Sequence, residues 1–171
     1  MERTGIITMR GKPLTLVGNR VEVGDKAPDF SVLDTDMTVK GLADFDGKIK
    51  VISVTPSLDT PVCDIQVHWF EQDASKVSQD VAILNISADL PFAIKRFCAA
   101  GGIERVTVLS DHRSASFGEG YGVLIKELRL LARSIFIVDR ENVVRYVQIV
   151  GEQANEPDYE AAVGALKAIT G

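Results

Sequence analysis

The sequence predicts an α/β fold in which a central mixed sheet is flanked by helices on both faces. Continuous apolar runs predict buried strands at residues 48–54 and 81–87, and a segment with helical periodicity follows each run. Strands that alternate with helices in this way form a parallel sheet. Residues 134–138 and 143–150 are separated by a hairpin-length connection, which predicts an antiparallel pair and makes the sheet mixed.

The amino-terminal segment predicts a β-hairpin over residues 4–17, with its turn at Arg10-Gly11. We expect residues 1–17 to be a hairpin extension of one domain that spans residues 1–171. No internal repeat, low-complexity tract or linker divides the chain, and its length suits a single core.

Start and stop signals set the bounds of the predicted helices. Thr60 is the expected N-cap of the first helix, and Pro61 suits its first position because proline lacks the N–H group that would be unpaired there. Asp89 is the expected N-cap of the second helix, which Gly101-Gly102 should end. The remaining predicted elements are strands at 31–33 and 105–109 and helices at 114–121 and 157–169.

Composition and charge exclude several classes of partner. The chain of 171 residues is 46% hydrophobic and 25% charged, which is typical of a soluble globular protein. Its net charge of −5 argues against binding to nucleic acid or to an anionic membrane surface. The sequence has no apolar run long enough to span a membrane and no secretory signal, so we expect a cytoplasmic location, where thiols stay reduced.

Cys63 is the first candidate for chemistry, since it follows a buried strand and lies in the first turn of the first predicted helix. Unpaired N–H groups and the positive end of the helix dipole stabilise a thiolate there, and the thiolate is the reactive form of cysteine. The alternative is an inert cysteine that fills space in the core. Apolar spacing predicts an inward face made of Cys63, Val67, Phe70, Ala74 and Val77. Polar residues expected to cover the outer surface are Asp64, Gln66, Glu71, Gln72 and Lys76.

Cys98 lies near the end of the second predicted helix, where the dipole is negative. Its sulfur should therefore be less acidic and less nucleophilic than that of Cys63, which suits a resolving role better than an attacking one. A plain core cysteine is the alternative. The two cysteines are 35 positions apart, which excludes a CxxC dithiol. A disulfide between them requires one or both helices to move.

Arg133 follows an apolar run and opens a predicted buried strand. An arginine that enters a core needs an anionic partner, and a thiolate at Cys63 would serve. A surface ion pair with a carboxylate is the alternative. The two histidines, His68 and His112, are far apart in sequence and give no metal-ligand spacing, and no glycine-rich nucleotide loop is present.

The pattern Pro56-x-x-x-Thr60-x-x-Cys63 resembles the active-site motif of the peroxiredoxins, and GDKAPDF at residues 24–30 resembles the opening of their domain. Further blocks resemble the bacterial atypical two-cysteine branch of that family, and together they cover nearly the whole chain. These blocks are residues 56–63, 87–93, 96–98, 131–133 and 156–159.

The resemblance implies a thioredoxin-like fold, a homodimer, and reduction of hydroperoxides at the expense of thioredoxin, with no metal or organic cofactor. Carried over by position, Cys63 would be the peroxidatic cysteine and Cys98 the resolving cysteine of the same chain. Thr60 and Arg133 would hydrogen-bond the thiolate and the peroxide oxygens, and Pro56 would shield the pocket from water.

Two other functions remain open at this point. The chain could be a peroxide sensor that passes a disulfide to a partner protein, or a non-catalytic thioredoxin-like binding module with inert cysteines. The enzyme alone must turn over with thioredoxin, whereas slow and pH-insensitive alkylation of Cys63 would favour the binding module.

Overall fold

The computed structural model of the chain describes residues 1–74 and 76–170. Its strands are β1 (Glu2–Met9), β2 (Lys12–Val17), β3 (Val32–Leu33), β4 (Val39–Lys40), β5 (Ile49–Val54), β6 (Val81–Ser87), β7 (Thr107–Ser110), β8 (Leu124–Ile125), β9 (Ser134–Val138) and β10 (Val144–Ile149). Its helices are α1 (Pro61–Ala74), α2 (Pro91–Gly101), α3 (Ser116–Gly120) and α4 (Tyr159–Thr170), with a 3₁₀ turn at Leu42–Phe45. In this part of the chain no helix is both long and apolar enough to cross a membrane.

The main sheet has the strand order β10-β9-β5-β6-β7-β3-β4. Strands β5, β6 and β7 pair in parallel, whereas β9 is antiparallel to both β5 and β10. The predicted mixed sheet is therefore confirmed. Because β5, β6 and β7 succeed one another in one direction, right-handed crossovers place α1 and α2 on the same face of the sheet.

Side chains of the central strand β5 alternate between two apolar layers. Ile49 and Val51 face the layer beneath the long helices, and Ile52 and Val54 face the opposite layer. The residues that α1, α2 and α4 bury in the first layer are Val67, Phe70, Ile94, Ala162 and Leu166. The predicted inward position of Ala74 concerns a side chain outside the described residues.

The predicted N-terminal hairpin is confirmed: β1 and β2 pair antiparallel, and β8 extends them into a separate three-stranded sheet. Ile7 and Leu16 are buried and pack in the same apolar layer as Phe117 of α3. The hairpin and α3 thus cover the face of the main sheet that the three longer helices leave open.

The start of α2 differs from the prediction, while its end confirms it. Leu90, not Asp89, is the N-cap residue. The Asp89 carboxylate instead accepts hydrogen bonds from the Ser57 hydroxyl at 2.9 Å and from the Leu58 N–H at 2.8 Å. These two donors belong to the loop before α1, and they draw Asp89 away from its own helix. At the other end, Gly102 caps α2 in the left-handed conformation, with φ of 68°.

Candidate active site

The loop between β5 and α1 carries the motif that ends at Cys63. Helix α1 begins at Pro61, as predicted, and the Thr60 carbonyl accepts the first intrahelical hydrogen bond, from Asp64 N–H at 3.0 Å. The Thr60 hydroxyl donates to the Ser57 carbonyl at 2.9 Å, which tightens the turn just before the helix. Its bond to the Cys63 sulfur remains a prediction.

Cys63 is the third residue of α1 and has no solvent exposure. At this position its N–H belongs to the group that has no partner within the helix. Pro56 is also buried, in the loop that leads to the cysteine. Both Cys63 and Cys98 are free thiols.

Arg133 lies immediately before β9 and is only 3% exposed. Its Nη1 donates to the Cys63 Sγ at 3.4 Å, so the structure brings together two residues that are 70 positions apart. None of the salt bridges found among the described residues includes Arg133. The alternative of a surface ion pair is therefore wrong, and the buried guanidinium faces the sulfur.

Two buried glutamines hold the Arg133 guanidinium in place. Its Nη1 also donates to Gln66 Oε1 at 3.0 Å, and its Nε donates to the Gln153 carbonyl at 3.0 Å. This carbonyl belongs to the Gln153 backbone, and the side-chain amide of Gln153 donates to the Val150 carbonyl at 2.6 Å. Because amide oxygens accept hydrogen bonds without bringing a negative charge, they orient the cation and leave its charge uncompensated.

Gln66 begins a polar chain that crosses the interior of the sheet. Its Nε2 donates to the Ser53 hydroxyl at 2.7 Å, which itself donates to Asn85 Oδ1 at 3.0 Å. The Asn85 amide then donates to the Thr55 hydroxyl at 3.1 Å. The predicted surface position of Gln66 is wrong, since it has no exposure. Its register, three residues after Cys63, places it on the same helical face, and that spacing could have identified it.

Cys98 is half-buried in the last turn of α2. Burial raises the pKa of its thiol to about 11, and the nearby Glu71 carboxylate adds to the effect. The direction agrees with the expectation of a less acidic sulfur. Burial and the neighbouring charge are causes that the sequence did not predict, and the contribution of the α2 dipole remains a prediction.

An aromatic pair that sequence reasoning missed lies beside the site. The Trp69 and Tyr159 rings stack with their centroids 4.4 Å apart and join α1 to α4. Burial raises the pKa of Tyr159, and its hydrogen bond to the Glu156 carboxylate, at 3.1 Å, adds to the effect. Among the described residues, no group of three or more His, Cys, Asp or Glu side chains could hold a metal ion.

Residues 22–163 match the redoxin family. The chain belongs to the redoxin family. This redoxin is 54% identical to the thiol peroxidase of Bacillus subtilis over 163 residues, which cover 95% of this chain and 97% of the relative. It is 53% identical to the thiol peroxidase of Staphylococcus aureus strain COL, with 95% of this chain and 98% of the relative covered.

Solved structures confirm the thioredoxin-like peroxiredoxin fold of this redoxin. The peroxiredoxin-like protein from Aquifex aeolicus superposes with a TM-score of 0.90 at 40% identity and covers 98% of this chain and 97% of its own. The thiol peroxidase from Chromobacterium violaceum gives a TM-score of 0.84 at 22% identity, with 95% of each chain covered. With relatives this similar over nearly its whole length, this redoxin is a thiol-dependent peroxidase of the peroxiredoxin type, an oxidoreductase.

Proposed function

We propose that the chain reduces hydrogen peroxide and organic hydroperoxides through a sulfenic acid on Cys63 and an intrachain Cys63–Cys98 disulfide, which thioredoxin recycles. The observation that carries this proposal is the Arg133 Nη1 donor 3.4 Å from the Cys63 sulfur, with both residues buried. A buried cation that neutral amides hold, and that points at the sulfur of a cysteine in the first turn of a helix, is placed to stabilise negative charge on the reacting atoms.

In the first step the Cys63 thiolate attacks one oxygen of the peroxide. An S–O bond forms, the O–O bond breaks, and water or an alcohol leaves after taking up a proton, so that the peroxide is reduced and Cys63 is oxidised. Arg133 and the N–H groups of the first turn stabilise the negative charge that develops on the oxygens. The Thr60 hydroxyl turns from the Ser57 carbonyl toward the reacting atoms, and Pro56 keeps bulk water out.

In the second step the Cys98 sulfur attacks the sulfenic acid. The S–S bond forms, the S–O bond breaks, and hydroxide leaves as water with the proton that Cys98 gives up. The dithiol of thioredoxin then reduces the disulfide by exchange. We further propose that the chain is a homodimer, as the resemblance to the peroxiredoxins implies, and that it works in the cytoplasm, as expected from a sequence with no secretory signal.

The test is rapid mixing of the reduced protein with hydrogen peroxide or cumene hydroperoxide, followed by the fluorescence of Trp69. This residue is the only tryptophan of the chain and stacks beside the site. We expect a fast change at stoichiometric peroxide that Cys63→Ser abolishes, and then a Cys63–Cys98 disulfide in mass spectrometry. The relative rates with the two peroxides show the preferred substrate class.

Turnover separates the enzyme from the two other functions. With thioredoxin and its reductase, we expect the wild type to consume peroxide continuously, while Cys98→Ser reacts once and stops. Oxidation of Cys63 that leads to no turnover with thioredoxin, but to a mixed disulfide with another protein, would indicate a sensor. A thiol no faster than free cysteine would indicate a binding module.

A further inference from the structure

Glu71 of α1 binds the chain segment that follows the Cys98 helix. Its Oε1 accepts the N–H of Glu104 at 3.0 Å, its Oε2 accepts that of Val106 at 2.8 Å, and both oxygens accept that of Arg105, at 2.9 and 3.0 Å. Partial burial raises the pKa of Glu71, but the hydrogen bonds from these N–H groups lower it by more, so the pKa lies below its usual value. Three consecutive backbone donors on one carboxylate form a strong, charge-dependent anchor.

His68, three residues earlier on the same helix, binds the end of α2 itself. Its Nε2 lies 3.1 Å from the carbonyl oxygen of Gly101, the last residue of α2, and its Nδ1 lies 3.0 Å from the Asp64 carboxylate. A Cβ at Gly101 would approach His68 Nε2 to 2.9 Å, so this contact depends on the absence of a side chain there. The imidazole also meets the ring of Phe97 edge-on, with centroids 6.0 Å apart.

Cys98 belongs to the turn that these contacts hold. Its carbonyl accepts the N–H of Ile103 at 3.0 Å and that of the capping residue Gly102. The last turn of α2 therefore unwinds only when the segment from Gly101 to Val106 moves. Cys63 has no solvent exposure, so the two sulfurs can meet only after one or both helices move, and the contacts of His68 and Glu71 resist movement at the α2 end.

We propose that Glu71 and His68 are positioning residues that clasp the end of α2 and set the rate at which Cys98 reaches the Cys63 sulfenic acid. We call this set of contacts, made by His68 and Glu71 to Gly101 and residues 104–106, the α2 clasp. The inference rests on the proposed resolving role of Cys98. It adds that helix α1, which carries Cys63, also controls how fast Cys98 can reach Cys63.

The clasp links the opening of α2 to the reactivity of Cys98. While it is closed, burial and the Glu71 carboxylate raise the pKa of Cys98, so the thiol stays protonated and inert. When the segment moves away, both causes weaken together, and the thiolate that attacks the sulfenic acid becomes accessible. A tighter clasp therefore prolongs the life of the sulfenic acid, and a looser one shortens it.

Glu71→Gln is the first test, with Glu104→Gln as the matched control. Glutamine places an NH₂ donor against backbone N–H donors and removes the charge. We expect the disulfide to form about tenfold faster after stoichiometric peroxide, measured by acid quench and mass spectrometry, while the first oxidation keeps its rate. Glu104→Gln makes the same charge change on an exposed side chain of the same loop, where only the backbone N–H joins the clasp, and should leave both rates unchanged.

Gly101→Ala is an independent test that leaves Glu71 in place. Its Cβ displaces the end of the His68 side chain, and we expect disulfide formation to be several-fold faster. Hydrogen exchange of the reduced protein gives a readout free of activity: amides of residues 98–106 should exchange faster in both variants and not in Glu104→Gln. If Glu71→Gln fails to fold, the result with Gly101→Ala alone tests the α2 clasp.

The outcomes separate this inference from the function on which it rests. Variants that form the disulfide at the wild-type rate or more slowly, or whose amides 98–106 keep wild-type exchange, would overturn the clasp while leaving the peroxidase intact. A wild type that is oxidised at Cys63 but never forms a Cys63–Cys98 disulfide would overturn the resolving role itself, and the clasp with it.

Discussion

At the scale of single residues, Arg133 is buried and has no carboxylate partner among residues 1–74 and 76–170. Hydrogen bonds to Gln66 and Gln153 fix the orientation of its guanidinium, and the Nη1 donor of this group points at Cys63 Sγ. A planar guanidinium holds its donors at separate and fixed positions, whereas the three donors of an ammonium group radiate from one nitrogen on a flexible stem. The position of the charge, and not only its sign, therefore matters to the chemistry of Cys63.

We predict that Arg133→Lys lowers the second-order rate constant of Cys63 with hydrogen peroxide about 100-fold, because a preorganised donor to the developing oxyanion is lost. Stopped-flow fluorescence under pseudo-first-order conditions measures this constant. Arg145→Lys is the control, since Arg145 makes a half-exposed ion pair with Asp139 at the opposite end of β9. A rate for Arg133→Lys within twofold of wild type would remove Arg133 from the mechanism.

Some site residues could be predicted from sequence, and others could not. Cys63 was predictable because a strand end, a turn and a proline specify a helix start within a few residues, which is local information. An arginine at the start of a buried strand was a visible anomaly in the sequence. Its partner could not be predicted, because Arg133 meets Cys63 only when β9 pairs with β5, two strands that are far apart in the chain. Gln66 was wrongly placed on the surface because residue type was given more weight than its register beside Cys63.

At the scale of elements, Glu152 joins the turn of the N-terminal hairpin to the loop after β10. Its carboxylate accepts hydrogen bonds from Ala154 N–H at 2.8 Å, Gly11 N–H at 2.8 Å and the Thr8 hydroxyl at 3.1 Å. The Ala154 and Gly11 N–H groups lower the pKa of Glu152 from 4.5 to about 2. These bonds stabilise the folded chain only while the carboxylate is ionised.

We predict a pH-dependent stability difference between the wild type and Glu152→Gln. The folded pKa is lower than the unfolded one, so the contribution is complete above the unfolded value near 4.5 and is lost as the pH falls toward 2. Thermal unfolding at pH 7 should show the wild type with the higher Tm, and the gap should narrow between pH 5 and pH 2. A gap that is constant across this range would contradict the role of the charge.

The long strands were predictable from sequence, and two of the shortest, β4 and β8, were not. Strands β5, β6 and β9 are continuous apolar runs that stay buried on both sides, so composition alone indicates them. By contrast, β4 and β8 have two residues each and exist only because a neighbouring strand supplies their hydrogen bonds. Pairing of this kind is set by the tertiary fold, and no local pattern records it.

At the scale of the whole molecule, the N-terminal hairpin is part of the core. Leu16 has no exposure and Ile7 has 1%, and both lie in the apolar layer opposite the long helices. The chain leaves the hairpin through Gly18, and the N–H of the next residue, Asn19, donates to the Glu119 carbonyl of α3 at 2.8 Å. The close approach of these two backbones keeps the hairpin in place over the sheet.

We predict that Gly18→Ala lowers the free energy of unfolding by about 3 kcal/mol or more. A Cβ at this position would lie 2.1 Å from the backbone oxygen of Glu119, which cannot move without shifting α3, and the φ of +114° adds strain. Gly24→Ala is the matched control, because Gly24 also has a positive φ, +98°, but no atom within 4 Å of an added Cβ. Its cost should be about 1 kcal/mol, from backbone strain alone. Denaturant unfolding of both variants measures the difference, which reports the contact between the hairpin and α3. An equal decrease in the free energy of unfolding of the two variants would mean that α3 shifts at little cost and that its contact with the hairpin contributes little to stability.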